Sequence, residues 1–200
     1  MIGRAAVELR TAVELNRAAP ADDARVEALR VELRTLDSHA AAKALARDLA
    51  ARDICLVYGG ASIGLMGALA SEMKAHGGTV IGIMPDFLRE REVQADYLDN
   101  LIITTTMHAR KQQMYDHADA FVALPGGMGT LDETIEMLTW AQLGRHEMPV
   151  VLANINDFWD PLIELFDHMI ATGFVKSGAR RFYSMVDRIE DIVPRLEASL

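Results

Sequence analysis

Lysine is scarce in this chain of 200 residues, occurring only at Lys43, Lys74, Lys111 and Lys176. A Walker A loop requires Lys followed by Ser or Thr after its last glycine, and neither glycine-rich stretch, Gly59 to Gly64 or Gly126 to Gly129, supplies that pair. ATP hydrolysis of the P-loop kind is therefore disfavoured. Cysteine is scarcer still. Cys55 stands alone in the apolar run ICLVY, so no disulfide framework can form within the chain, and the expectation is a small buried hydrophobe in a reducing, cytoplasmic setting. No apolar run approaches the roughly 18 residues of a membrane span, and the N-terminus lacks a basic segment followed by an apolar one. The six histidines include no pair at HxxxH spacing, which makes a metal site improbable. Net positive charge is also lacking: the formal charge is −9, which opposes attraction to a nucleic acid backbone.

What the chain has is a rhythm. From Asp53 onward the short apolar runs ICLVY, TVIGIM, LIITTT, AFVAL and PVVLAN alternate with amphipathic stretches, the βαβ pattern of a parallel sheet. Runs that are continuously apolar imply burial on both faces. The expected class is α/β, a three-layer Rossmann-like fold with a mainly parallel sheet, forming a single domain over 1–200. Residues 1 to about 36 differ. They have no strand signal and are read as an N-terminal helical segment, a hairpin broken near Pro20, with apolar residues at Val26, Leu29, Val31, Leu33 and Leu36.

In such sheets ligands bind beyond the carboxyl ends of strands, where glycine-rich turns enter helices. Two turns qualify, YGGASIGLMG with Gly59 and Gly60, and LPGGMGT with Gly126, Gly127, Met128, Gly129 and Thr130. Loop amides at a helix start attract an anion, whereas the adjacent acids Asp132 and Glu133 repel one. Thr130 and Glu133 are three residues apart and share a helix face, so Glu133 is the functional candidate and Asp132 the solvated acid. A phosphate about 6 Å from Glu133 would be repelled by roughly 3 kcal/mol at an effective dielectric of 20. Two or three charge-assisted bonds from loop amides, at about 1.5 to 3 kcal/mol each, offset that repulsion. Arg110 and Lys111, in MHARKQQM on the same sheet edge, are the candidate cations.

The stretches YGGASIGLMG, MHARKQQM, LPGGMGTLDE and TWAQLGRHEMPVVLAN resemble the LOG (Lonely Guy) family of cytokinin riboside 5'-monophosphate phosphoribohydrolases, often labelled lysine decarboxylase-like, over about Ser38 to Phe174. The resemblance implies hydrolysis of the N-glycosidic bond of a nucleoside 5'-monophosphate, cytokinin riboside monophosphate or AMP, with no cofactor. It implies that Arg110 and Glu133 are catalytic, and that Lys111, the loop Gly126 to Thr130, Thr139 and an acid near Glu92 hold the nucleotide. It further implies a homodimer, for which TIEMLTWAQL carries more apolar surface than one core-facing stripe needs. Family members normally begin with a strand ending in a Cys-Gly-Ser-Ser-like turn, and nothing before Ser38 matches it, so the N-terminal helical segment replaces or precedes the usual first strand. Two other readings remain in view at this point. One is a non-catalytic nucleotide or molybdenum-cofactor carrier of the same fold; the other is pyridoxal phosphate-dependent decarboxylation, for which no lysine sits in a recognisable context.

Overall fold

The computed structural model describes residues 24–89 and 97–199. The proposed helix break at Pro20 and the acid Glu92 lie outside the described residues. The chain divides into two compact units, the first ending at Ala40 and the second spanning Ala41–Leu200. Helix α1 (Ala24–Ala51) starts in the first unit, and residue 36, where the sequence suggested the end of a separate segment, falls inside it.

All five apolar runs form strands. These are β1 (Leu56–Tyr58), β2 (Val80–Pro85), β3 (Asn100–Thr104), β4 (Phe121–Ala123) and β5 (Val150–Ala153), with a sixth, β6 (Ser184–Val186), near the C-terminus. The helices between and after them are α2 (Gly64–Ala75), α3 (Met107–Asp116), α4 (Met128–Gln142), α5 (Asp160–Ala171) and α6 (Ile192–Glu197). Every pairing among the described residues is parallel. The strands form two three-stranded half-sheets, β1-β2-β3 and β4-β5-β6.

Parallel strands covered on both faces should be buried at consecutive positions, and β5 is buried at all of its residues. Helix α1 contributes Ala42, Leu45, Ala46 and Leu49, spaced three and four apart so that they share one face. Leu69, Ala70 and Met73 of α2 and Ile192, Val193 and Leu196 of α6 join the same core. That core also contains Leu56, Tyr58 and Val80 from one half-sheet and Val151 and Ala153 from the other. Side-chain packing, not strand pairing, therefore unites the halves. Asn154 fastens the end of β5: its side chain accepts from the Trp159 backbone N–H at 2.8 Å and donates to Asp160 at 2.9 Å and Asp187 at 3.3 Å.

The expectation of a buried Cys55 is corrected, because the residue is exposed. Strand β1 begins only at Leu56, so Cys55 sits just ahead of the ladder instead of within it. The apolar run is longer than the strand it encodes. Partial burial still pushes the thiol pKa up, with Asp99 adding to the effect.

Candidate active site

Helix α3 carries the first half of the site. Its start is fixed by Thr106, in extended backbone, whose hydroxyl accepts from the Ala109 N–H at 3.0 Å. This cap sets the rotation of the first turn, and Arg110 consequently points inward and is only 8% exposed. Its Nε donates to the carbonyl of Ile83 in β2 at 3.1 Å. Its guanidinium also lies against Gly59, where any Cβ would collide with Nη2. A glycine follows β1 at this place because the guanidinium occupies the space a side chain would need.

Helix α4 carries the second half. Its N-cap is Gly127, which offers no side chain to bond the first-turn N–H groups, so these donors face outward unsatisfied by a cap. Gly126 is required for closeness of a different kind: a Cβ there would overlap the Thr130 side chain. Further along, Gly60 has a positive φ of 81°, a conformation that favours glycine at the β1 turn.

The two helices meet through ion pairs. Arg110 Nη1 lies 2.5 Å from Glu133 Oε1, with the Arg side chain 10% and the Glu side chain 31% exposed. Lys111 Nζ lies 3.1 Å from Asp132 and 3.0 Å from Glu136. Asp132 is the more exposed of the adjacent acids, at 59% of its side chain, as its position on the helix suggested. Burial draws the Lys111 pKa down, but the two carboxylates overcome this and leave it raised.

A cavity of about 690 Å³ adjoins these groups, lined among others by Gly59, Arg110, Lys111, Thr130, Glu133 and Glu136. Sequence reasoning thus brought together residues that the structure also brings together: Arg110, Glu133, Lys111, Thr130 and Gly59. Thr139 does not line this cavity; it is exposed and returns its hydroxyl to the Ile135 carbonyl at 2.7 Å. Glu136 was missed. Its spacing four residues after Asp132 was the available signal, since an i,i+4 acid pair on one face can hold a single cation between them. No group of His, Cys, Asp and Glu suited to a metal occurs among the described residues.

Comparison with known proteins places this arrangement in context. The family described as possible lysine decarboxylase matches residues 66–196. Cytokinin riboside 5'-monophosphate phosphoribohydrolase LOG2 of Arabidopsis thaliana is 43% identical over 164 residues, covering 78% of this chain and 77% of the relative. The chain belongs to the LOG family. The family enzyme of that name from Oryza sativa subsp. japonica is 42% identical over 167 residues, covering 80% of this chain and 69% of the relative. Two solved structures share the fold. The molybdenum cofactor binding protein of Rippkaea orientalis has a TM-score of 0.62 at 22% identity, covering 81% of this chain and 87% of that one. The Moco carrier protein of Chlamydomonas reinhardtii has a TM-score of 0.58 at 23% identity, covering 82% and 89%. At such identities the likeness concerns the Rossmann-like fold alone. Within the LOG family motif PGGMGTLDE, both acids make ion pairs to α3, Glu133 with Arg110 and Asp132 with Lys111.

Proposed function

We propose that this LOG-family chain hydrolyses the N-glycosidic bond of nucleoside 5'-monophosphates, cytokinin riboside monophosphate or AMP, to free base and ribose 5-phosphate. The observation that carries the reading is the half-buried Arg110–Glu133 pair beside a cavity, one turn from a helix start that has no side-chain cap. Cleaving a ribosyl C–N bond builds positive charge on the sugar. The Glu133 carboxylate stabilises that charge and orients the attacking water. Water supplies the new C1'–O bond while the C–N electron pair leaves with the base, which takes up a proton. The α4 N-terminal amides and Lys111 hold the 5'-phosphate, and Arg110 fixes the Glu133 carboxylate.

Relatives at this identity carry the name of the reaction, whereas the molybdenum-cofactor carriers share only the fold. The decarboxylase label of the family finds no support at Lys111, because a Schiff-base lysine needs a lowered pKa and this one is raised between two acids. We further infer a cytoplasmic homodimer. Its support is the exposure of Leu143 at the end of α4, 69% accessible and continuous with an apolar helix. No described helix is long and apolar enough to cross a membrane.

The test is to incubate the protein with AMP, isopentenyladenosine monophosphate and adenosine, and to quantify free base and ribose 5-phosphate. The monophosphates should be cleaved and adenosine hardly at all, because phosphate binding remote from the broken bond positions it for attack. Equal turnover of adenosine and AMP overturns the reading.

A further inference from the structure

Among the described residues that line the cavity, Arg110 and Lys111 are the only arginine and lysine, and both are already committed. Arg110 pairs with Glu133, and Lys111 pairs with Asp132 and Glu136. The cluster thus holds two cations against three carboxylates, one negative charge in excess. A phosphate monoester brings roughly −1.5 to −2 more at pH 7. The amides at the start of α4 offer hydrogen bonds, but only a partial positive charge. Such an anion is accommodated when one carboxylate gives up its cation, because like charges this close repel and the cations gain nothing from a partner they already have.

The three carboxylates differ in how readily they can do so. Glu133 is tied to a buried arginine whose Nε is fixed on the Ile83 carbonyl. Glu136 lines the cavity, and its Oε2 is shut off from solvent with no hydrogen-bond partner, so the Lys111 ammonium 3.0 Å away is what offsets its burial. Asp132 is different. It does not line the cavity, its side chain is 59% exposed, and water can take over the bond it accepts from Lys111. It also stands four residues before Glu136, about 6 Å nearer the start of α4 at 1.5 Å per residue, so a phosphate at the uncapped amides meets the ammonium on its Asp132 side.

We propose that Asp132 occupies Lys111 in place of the substrate's 5'-phosphate: the phosphate displaces this one carboxylate from the ammonium while Glu136 keeps its hold. Asp132 is then a competitor built into the site, and it sets how tightly the phosphate is bound. The competition rests on the placement of the 5'-phosphate between the α4 amides and Lys111 in the hydrolase reading. Direct repulsion between Asp132 and the phosphate is a lesser effect, because the exposed carboxylate is screened by water and salt.

The probe is ribose 5-phosphate, which carries the phosphate and has no bond left to cleave, titrated by calorimetry into the full chain and its variants. Asp132→Asn should bind it about two- to fivefold tighter, the factor that corresponds to losing one exposed ion pair. Asp132→Glu, which keeps a carboxylate, should bind it as the parent does. Lys111→Gln should weaken binding, and Asp132→Asn added to Lys111→Gln should bring no tightening, because the competition acts through the ammonium. Two results overturn the proposal: Asp132→Asn binding no tighter than the parent, or the same tightening with Lys111 replaced, which would make Asp132 a general repulsive charge. Base release from AMP by the parent, measured alongside, tests the hydrolase reading separately. Release without tightening in Asp132→Asn overturns the competition alone, whereas neither release nor ribose 5-phosphate binding overturns both.

Discussion

Exchanging Glu133 for Gln removes one negative charge while keeping the side chain's shape and an oxygen facing Arg110. The ion pair spans 2.5 Å, and its two side chains are 10% and 31% exposed, so it is neither freely solvated nor sealed from water. A hydrogen bond to a charged group contributes about 1.5 to 3 kcal/mol, against about 1 kcal/mol for a neutral one. The substitution should therefore cost about 0.5 to 2 kcal/mol of stability, since Arg110 keeps both the Ile83 carbonyl and the new amide oxygen. In a chain of 200 residues each kcal/mol moves the melting temperature by about 2 to 4 °C, so the expected fall is a few degrees. Catalysis should suffer far more. Removing one preorganised electrostatic group typically lowers kcat about 100- to 1,000-fold. Base release from saturating AMP, followed chromatographically, together with a thermal melt of each variant, separates the two effects. A kcat within about tenfold of the parent would refute the transition-state role of the carboxylate at the magnitude argued. A melting drop far beyond the expected few degrees would instead make Glu133 a structural residue.

Asp132→Asn should leave kcat within about threefold of the parent, because its exposed carboxylate is one of two holding Lys111 and Glu136 remains; a loss equal to that of E133Q overturns the distinction between the acids. Thr106→Ala should cost about 1 kcal/mol in a chemical melt by removing the α3 cap, and should also lower kcat by loosening Arg110; unchanged activity would show that the cap does not position the guanidinium. Asn154→Ala should destabilise by about 1 to 3 kcal/mol through the unpaired Trp159 N–H, without altering KM for AMP. The Asp99 carboxylate is held below its ordinary pKa by the Lys74 ammonium and then by the Val80 N–H. Its contribution to stability is thus complete above the unfolded value of about 3.9 and vanishes as pH falls through the lower folded value. Asp99→Asn should narrow the stability gap between pH 7 and pH 3, and melts of both proteins across that range check it.

How much of this was legible beforehand differs from residue to residue. Strands β1 to β5 announced themselves as continuous apolar runs, which is what burial on two faces demands. Strand β6 did not, because SMV is short and only partly buried, and its pairing with β5 is decided by tertiary context. Glu133 was separable from Asp132 by helical geometry alone, and the placement of Arg110 followed from MHARKQQM standing after a strand. The engagement of Lys111 by Glu136 spans two helices; the i,i+4 spacing of Asp132 and Glu136 puts two acids on one face, but which cation stands between them is decided by tertiary packing. Cys55 misled because an apolar run reports hydrophobicity without reporting where a ladder begins.

The contact between Gly59 and the Arg110 guanidinium bears on how α3 and α4 are held together. Position 59 cannot acquire even a methyl group while the arginine at 110 keeps its rotamer, since the new carbon would overlap Nη2. A Cβ at 59 would therefore be felt first at the tip of the guanidinium, which would have to swing away. Because that guanidinium is tied to the Ile83 carbonyl through Nε and to Glu133 through Nη1, alanine or serine at 59 would disturb the ion pair between α3 and α4 from a strand end that touches neither helix through a side chain of its own.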